Sequence, residues 1–301
     1  MNDIKQDNLI FKIFPSFTHP YISLMRLDRP IGYLLLFYPI SFSLVSNSIF
    51  DYHLLKYFIL FFIGSIVMRS AGCVVNDILD INIDKKVDRT KFRPLSSSDM
   101  SVKSAYFILS LLLVFGLLIL INLNLPSIIL GLIIFPLVFL YPLAKRYFAL
   151  PQLVLAMTYN WGCIIGWAAI NSPYDFQNIF ILYLSLIIWT LVYDTVYATQ
   201  DEEEDKRMNL YSSTILFGAN RLLILNALIL IQYFLLLIYG SKMDFNPIFY
   251  VIIILIFILN LMDINLLWKN RKEKSGQYFK RNNYYGFLIL LSIIIGSQFN
   301  V

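Results

Sequence analysis

Apolar runs long enough to cross a bilayer recur along almost the whole of this 301-residue chain. A helix needs about 20 apolar residues to span the hydrocarbon core, and lipid leaves no other way to satisfy the backbone of an unpaired segment. Nine helices are expected near 31–49, 54–78, 102–122, 125–143, 150–171, 177–199, 218–239, 247–268 and 284–300. Only the turn at Asn122–Pro126 separates the third from the fourth. Composition agrees, with 58% hydrophobic residues, 14% charged residues and a mean hydropathy of +0.69. Soluble domains carry about a quarter charged residues. So few charges exclude an ordinary cytosolic enzyme, a disordered tail and a secreted disulfide scaffold. The fold class is an all-α polytopic membrane protein.

The sequence also limits the chemistry. Cys73 and Cys163 both lie in apolar runs, and His19 and His53 are the only histidines. No thiolate or imidazole metal spacing exists. The N-terminus has neither a short apolar run before a small-residue cleavage site nor an Arg-rich transit pattern, so residues 1–29 read as part of the mature protein.

The net charge of +5 matters less than where the charges lie. With the N-terminus inside, only Lys56 and Lys242 of the 24 Lys and Arg residues fall in outer segments, and Arg69 lies within the second helix. All the others share the inner side, which is the positive-inside signal. The expectation is a cytoplasmic N-terminus and a C-terminus on the opposite side of the membrane. No nucleic-acid partner is implied. The basic run Lys269–Arg281 reads as a membrane-lipid contact and topology determinant.

Carboxylates cluster only twice, each time at the inner end of an apolar helix. The first cluster, Asn76-Asp-Ile-Leu-Asp-Ile-Asn-Ile-Asp84, puts Asn76, Asp80 and Asp84 at intervals of four. At about 100° per residue these three share one helical stripe. The second, Asp194-Thr-Val-Tyr-Ala-Thr-Gln-Asp-Glu-Glu-Glu-Asp205, puts Asp194, Asp201 and Asp205 on a tighter stripe if its helix continues that far. Glu202, Glu203 and Glu204 read as a solvated helix end. Asp194 does not, because an ionisable group inside an apolar helix is costly. One-sided carboxylates repel one another unless a cation compensates, and oxygen-only ligands suit Mg²⁺ completed by a substrate phosphate. Arg89, Lys91 and Arg93 follow closely and can meet residual phosphate charge.

Two stretches carry a family resemblance. Arg69-Ser-Ala-Gly-Cys-Val-Val-Asn-Asp-Ile-Leu-Asp-Ile-Asn-Ile-Asp84 with Arg89-Thr-Lys-Phe-Arg-Pro-Leu95 resembles the first signature of the UbiA-type membrane prenyltransferases. Tyr193-Asp-Thr-Val-Tyr-Ala-Thr-Gln-Asp-Glu-Glu-Glu-Asp205 resembles the second. Leu27-Asp-Arg-Pro-Ile-Gly32 and the stretch Tyr141–Trp161 are similar to the branch that prenylates 4-hydroxybenzoate. Ser96-Ser-Ser-Asp99 stands where the family has a Pro and a Gly, a departure that touches the turn rather than the ligands.

The resemblance implies one domain over 1–301, with acidic-motif halves of about 24–145 and 146–301. It implies nine helices around a central cavity with a cytoplasmic cap from two loops. The implied reaction moves a polyprenyl group from polyprenyl diphosphate to 4-hydroxybenzoate, in ubiquinone biosynthesis, with Mg²⁺ as cofactor. Asn76, Asp80 and Asp84 would hold one ion and Asp201 and Asp205 the other. Asp194 matches a further acidic position, and the five aspartates form the catalytic set. Arg29, Arg69, Arg89, Lys91, Arg93, Lys145 and Arg146 are candidates for the diphosphate or the benzoate carboxylate, with Arg69 able instead to pair with Asp194. Tyr141, Asn160 and Tyr197 are candidates for the acceptor pocket. A related enzyme with another aromatic acceptor fits the same motifs. An ion-coupled transporter fits less well, because both acid clusters lie at one face and not at the midplane.

Overall fold

A computed structural model describes residues 9–46, 51–170 and 176–298, and within them every regular element is helical. The expected helix ends at 47–49, 171 and 299–300 fall outside the described residues. The main helices are α1 (Pro30–Val45), α2 (Tyr52–Leu79), the short α3 (Ile81–Asp84), α4 (Val102–Leu120), α5 (Leu125–Leu140), α6 (Pro151–Asn160), α7 (Gly162–Ile170), α8 (Phe176–Ala198), the short α9 (Glu202–Arg207), α10 (Arg221–Lys242), α11 (Pro247–Trp268) and α12 (Arg271–Gln298). Among the described residues 7 helical stretches are long and apolar enough to cross a membrane, which makes this a multi-pass membrane protein. These are α2, α4, α5 with its extension to Tyr147, the α6–α7 pair, α8, α10 with the short helix before it, and α11. Helix α1 is apolar but shorter, and α12 begins with a polar half.

The chain forms two compact units, one of residues up to Leu34 with Phe62–Asn122, the other of Leu35–Phe61 with Leu123–Val301. In the first, α4 packs on the second half of α2. A side chain at Gly116 would meet Met68 Sδ at 3.1 Å, so the small residue lets the two helices approach. Ser101 starts α4 by accepting the Ser104 amide. The turn expected at Asn122–Pro126 is present, with Asn124 Oδ1 capping α5 through the Ser127 amide.

The second unit is built around α8, whose side chains are buried along most of its length. It packs against α6, α10 and α12, and α11 and α12 form an antiparallel pair. Helix α12 departs from expectation. Residues 271–283 continue the helix that was expected to start at 284. Their polarity hides them from a hydropathy reading because their partners lie far away in sequence. Trp189 Nε1 donates to Asn282 at 2.8 Å, Tyr278 donates to Asn260 at 2.7 Å, and Tyr38 donates to Asn283 at 3.2 Å. Arg281 pairs with Asp263, which Tyr285 also reaches. Gly286 leaves room for rings, since a Cβ there would lie 2.5 Å from Tyr38 and 3.0 Å from Trp189.

Candidate active site

The first acidic motif sits where α2 stops. Asp80 has φ −102° and ψ 9°, which breaks the helix, and α3 restarts from it. The four-residue bonding survives the break, with the Asp80 amide on Asn76 O at 2.9 Å and the Asp84 amide on Asp80 O at 2.8 Å. Asp80 precedes a helix yet makes no side-chain cap bond. Its carboxylate, 1% exposed, is not spent on the backbone it introduces.

Asp77 was not among the expected site residues, and it is the electrostatic centre of this motif. It is 1% exposed. Arg26 donates to both its oxygens at 2.9 Å, and Arg93 Nη1 donates to Oδ1 at 3.1 Å. The same Arg93 nitrogen reaches Asp84 Oδ2 at 2.9 Å. Arg93 therefore ties the two carboxylates together, while burial pushes the Asp84 carboxyl up against its pull. Arg26 holds a left-handed backbone at φ 55°, a strained geometry for a side chain of this size. The signal in the sequence was Asp77 itself, an acid placed before the end of an apolar helix.

The other basic candidates of this unit scatter. Lys91 is exposed and paired with Asp88 at 2.6 Å. Arg29 lies beside Asp28, Nε to Oδ2 at 3.1 Å. Arg89 is half-buried in the segment between α3 and α4. Arg69 lies against α1, with Nε 2.8 Å from the position a Cβ would take on Gly32. The glycine of Leu27–Gly32 thus makes room for an arginine.

The serine-rich departure from the family pattern has a backbone consequence. Ser98 adopts φ 68°, the left-handed region that glycine enters without steric cost. Ser98→Gly should therefore stabilise the protein by about 0.5–1 kcal/mol, the part of the left-handed strain that glycine's extra chain entropy does not offset. An unchanged or lower melting temperature in detergent would show that the turn carries no such strain.

From its aspartate onward the second motif repeats the first in backbone terms. Helix α8 ends at Ala198, and the next three amides bond three residues back rather than four. Asp201 follows with φ −101° and ψ 6°, nearly the angles of Asp80, again without a side-chain cap bond. The Asp205 amide bonds Asp201 O at 2.8 Å, as Asp84 bonds Asp80. The continuous helix assumed for the Asp194–Asp205 stripe is absent. Tightened turns rotate about 120° per residue rather than 100°, so Asp194 belongs to α8 and Asp201 and Asp205 to the turn beyond it.

Glu202 corrects the reading of a solvated helix end. It is 7% exposed, and Arg221 grips it with Nη1–Oε2 at 2.5 Å and Nη2–Oε1 at 2.9 Å. Lys206 adds a third bond at 2.7 Å. The Arg221 hydrogen bonds, then that of Lys206, push the Glu202 carboxyl down from 4.5 to about 2. This contribution is present above the ordinary carboxylate range and fades only as pH falls through about 2. Glu203 meets expectation, being exposed and paired with Lys272. The same contact ties Lys272 of the basic run to the second acidic segment.

Lys145 and Arg146 lie in a short helix, Ala144–Tyr147, after a tight turn at Tyr141–Leu143, and both are half-buried. The Lys145 carbonyl accepts the Tyr211 amide at 2.8 Å, which fixes it to the end of the second acidic segment. Tyr197 meets Phe279 in a tilted ring contact with centroids 4.8 Å apart. Asn160 is fully buried between α6 and α8, donating to Thr190 Oγ1 at 2.7 Å.

The family model described as "UbiA prenyltransferase family" matches residues 34–290. The chain belongs to this family. A mitochondrial 4-hydroxybenzoate polyprenyltransferase of Drosophila pseudoobscura pseudoobscura is 36% identical over 294 residues, covering 97% of this chain and 74% of the relative. A 4-hydroxybenzoate octaprenyltransferase of Francisella tularensis subsp. novicida is 36% identical over 280 residues, covering 91% and 96%. The apo structure of a UbiA homologue from Aeropyrum pernix K1 superposes with a TM-score of 0.71 at 22% identity, covering 88% of this chain and 98% of that one. A UbiA homologue from Archaeoglobus fulgidus, solved with GPP and Mg²⁺, gives 0.67 at 18% identity, covering 90% and 99%. At these identities the two structures speak for the family fold alone.

Proposed function

We propose that this chain transfers a polyprenyl group from polyprenyl diphosphate to the ring carbon ortho to the hydroxyl of 4-hydroxybenzoate, in ubiquinone biosynthesis. One observation carries the reading. The same acidic turn is built twice, each time with an aspartate that breaks a helix, makes no cap bond and is followed four residues later by a second aspartate. Relatives that carry the 4-hydroxybenzoate name over nearly the whole chain supply the acceptor.

The donor set fits Mg²⁺. It is all oxygen, and among the described residues no three acidic, His or Cys side chains form a ready-made cage. Mg²⁺ asks for none, since it keeps waters and takes one or two carboxylates together with substrate phosphate. Asn76, Asp80 and Asp84 would hold one ion and Asp201 and Asp205 another. When bound, Mg²⁺ supplies neutralisation of the leaving diphosphate as the allylic C–O bond breaks. Arg93, which spans Asp77 and Asp84, would be a further cation for that charge. Arg29, Arg69, Arg89, Lys91, Lys145 and Arg146 supply further cations for the diphosphate or the benzoate carboxylate. Tyr141, Asn160 and Tyr197 are the proposed acceptor-pocket residues, and Asp194 is a further member of the proposed catalytic set. The acceptor ring attacks through its ortho carbon and then loses that carbon's proton.

The test is a membrane assay with labelled 4-hydroxybenzoate, several prenyl diphosphates, and Mg²⁺ or excess chelator. Labelled prenylated product should form only with the divalent cation. Full turnover in chelator would remove the metals from the mechanism, and no product with any prenyl donor would remove the acceptor.

The topology proposed with this function has nine crossings of a bacterial inner membrane, with the N-terminus in the cytoplasm and the C-terminus in the periplasm. Cysteines at Ser97 and Lys242, introduced singly after Cys73 and Cys163 are replaced, should react with an impermeant thiol reagent from opposite sides, Ser97 from the cytoplasm. Labelling from the same side would refute the crossing count, and the reverse order would refute the orientation.

A further inference from the structure

Helix α9 holds one of the proposed metal ligands, yet little in its own sequence would make it fold. It has six residues, and isolated helices below about 12 are marginal in water. Its only buried residue is Glu202, so no apolar face anchors it. What fixes it is the two-bond grip of Arg221 on Glu202. Arg221 is itself set by Nε donating to Gly218 O at 2.8 Å, and it opens the 22-residue helix α10. Two further ties hold the far end of the segment, the Tyr211 amide on Lys145 O and the Ser213 amide on Gln152 Oε1, both at 2.8 Å. Neither of these touches α9 itself. The Leu210 amide closes back on Asp205 O at 2.9 Å.

We infer that Glu202 and Arg221 are a positioning pair, which transmits the rigid geometry of α10 to the Asp201–Asp205 turn and so sets the spacing of the second metal's ligands. The inference rests on the proposed metal site. The planar guanidinium fork fixes orientation as well as distance, which a lysine at 221 cannot do. Neither side chain touches the reacting atoms in this account. Glu203, one residue on, makes an exposed contact to Lys272 instead, and it serves as the internal control.

The experiment uses the full-length protein in detergent and two readouts that do not require turnover. Mn²⁺ affinity is measured by electron paramagnetic resonance with inorganic diphosphate present. Amide exchange of residues 199–212 is measured without ligand. Glu202→Gln and Arg221→Lys should each weaken Mn²⁺ binding about 10-fold or more, the scale of losing an outer partner of a metal ligand. Each should speed exchange in α9, and the double variant should be no worse than either single one. Arg221→Lys keeps the charge, so it remains informative if Glu202→Gln fails to fold. Glu203→Gln should leave both readouts unchanged. Unaltered Mn²⁺ affinity in a folded Arg221→Lys protein would overturn the inference, as would an additive double variant. A wild-type protein that binds Mn²⁺ but does not prenylate 4-hydroxybenzoate would refute the proposed acceptor and leave the positioning pair intact.

Discussion

Asp80→Asn and Asp201→Asn should each reduce prenyl transfer by at least about 10²-fold, the scale of removing one electrostatic contact to a developing negative charge. Both aspartates hold the same backbone position, the residue that ends one helix and starts the next without capping it. Asparagine keeps the size and the helix-starting character. It removes the charge on which binding of a hard cation depends. The loss should therefore appear in turnover and in Mg²⁺ dependence, while the amount of inserted protein stays normal. Glu203→Gln, on the same acidic segment but paired outward with Lys272, should change the rate little. Near-normal turnover in either Asp variant would place the metals elsewhere, and a Glu203→Gln loss as large as theirs would show that the segment responds to charge alone.

Much of the fold was legible because hydropathy reports membrane helices directly. The turn at Asn124 was legible for a chemical reason as well, since Asn followed by Leu-Pro both caps and starts a helix. The four-residue intervals Asp80–Asp84 and Asp201–Asp205 were legible and persist across the helix breaks, whereas the longer stripe from Asp194 does not. Three features were hidden for one shared reason. The start of α12, the Asp77 cluster and the Glu202 clamp are polar side chains satisfied by partners distant in sequence. Asn282 is matched to Trp189, Asp77 to Arg26 and Glu202 to Arg221. A polar residue looks solvated in sequence whether its partner is water or a buried arginine. The depth of Asp194 in an apolar run was readable, but the change of helical pitch after Ala198 was not, because nothing in Thr199–Gln200 forbids a regular helix.

The Asp77 cluster yields the largest expected change in stability. Asp77→Asn would leave Arg26 and Arg93 beside a neutral amide in a site where both guanidinium groups are nearly buried. Breaking a buried pair by removing one partner costs about 3–5 kcal/mol, because the remaining charge stays desolvated. Arg93 keeps Asp84, so the cost falls chiefly on Arg26, whose carboxylate partner is Asp77. The expected result is a marked fall in the melting temperature of the detergent-solubilised protein and rapid proteolysis within the Asp84–Ser101 segment. Glu203→Gln gives the comparison, since its carboxylate is exposed and its loss should leave the melting temperature nearly unchanged. An Asp77→Asn protein as stable as the parent would mean that Arg26 and Arg93 find other partners, and the first motif would then owe its shape to the helix break at Asp80 alone.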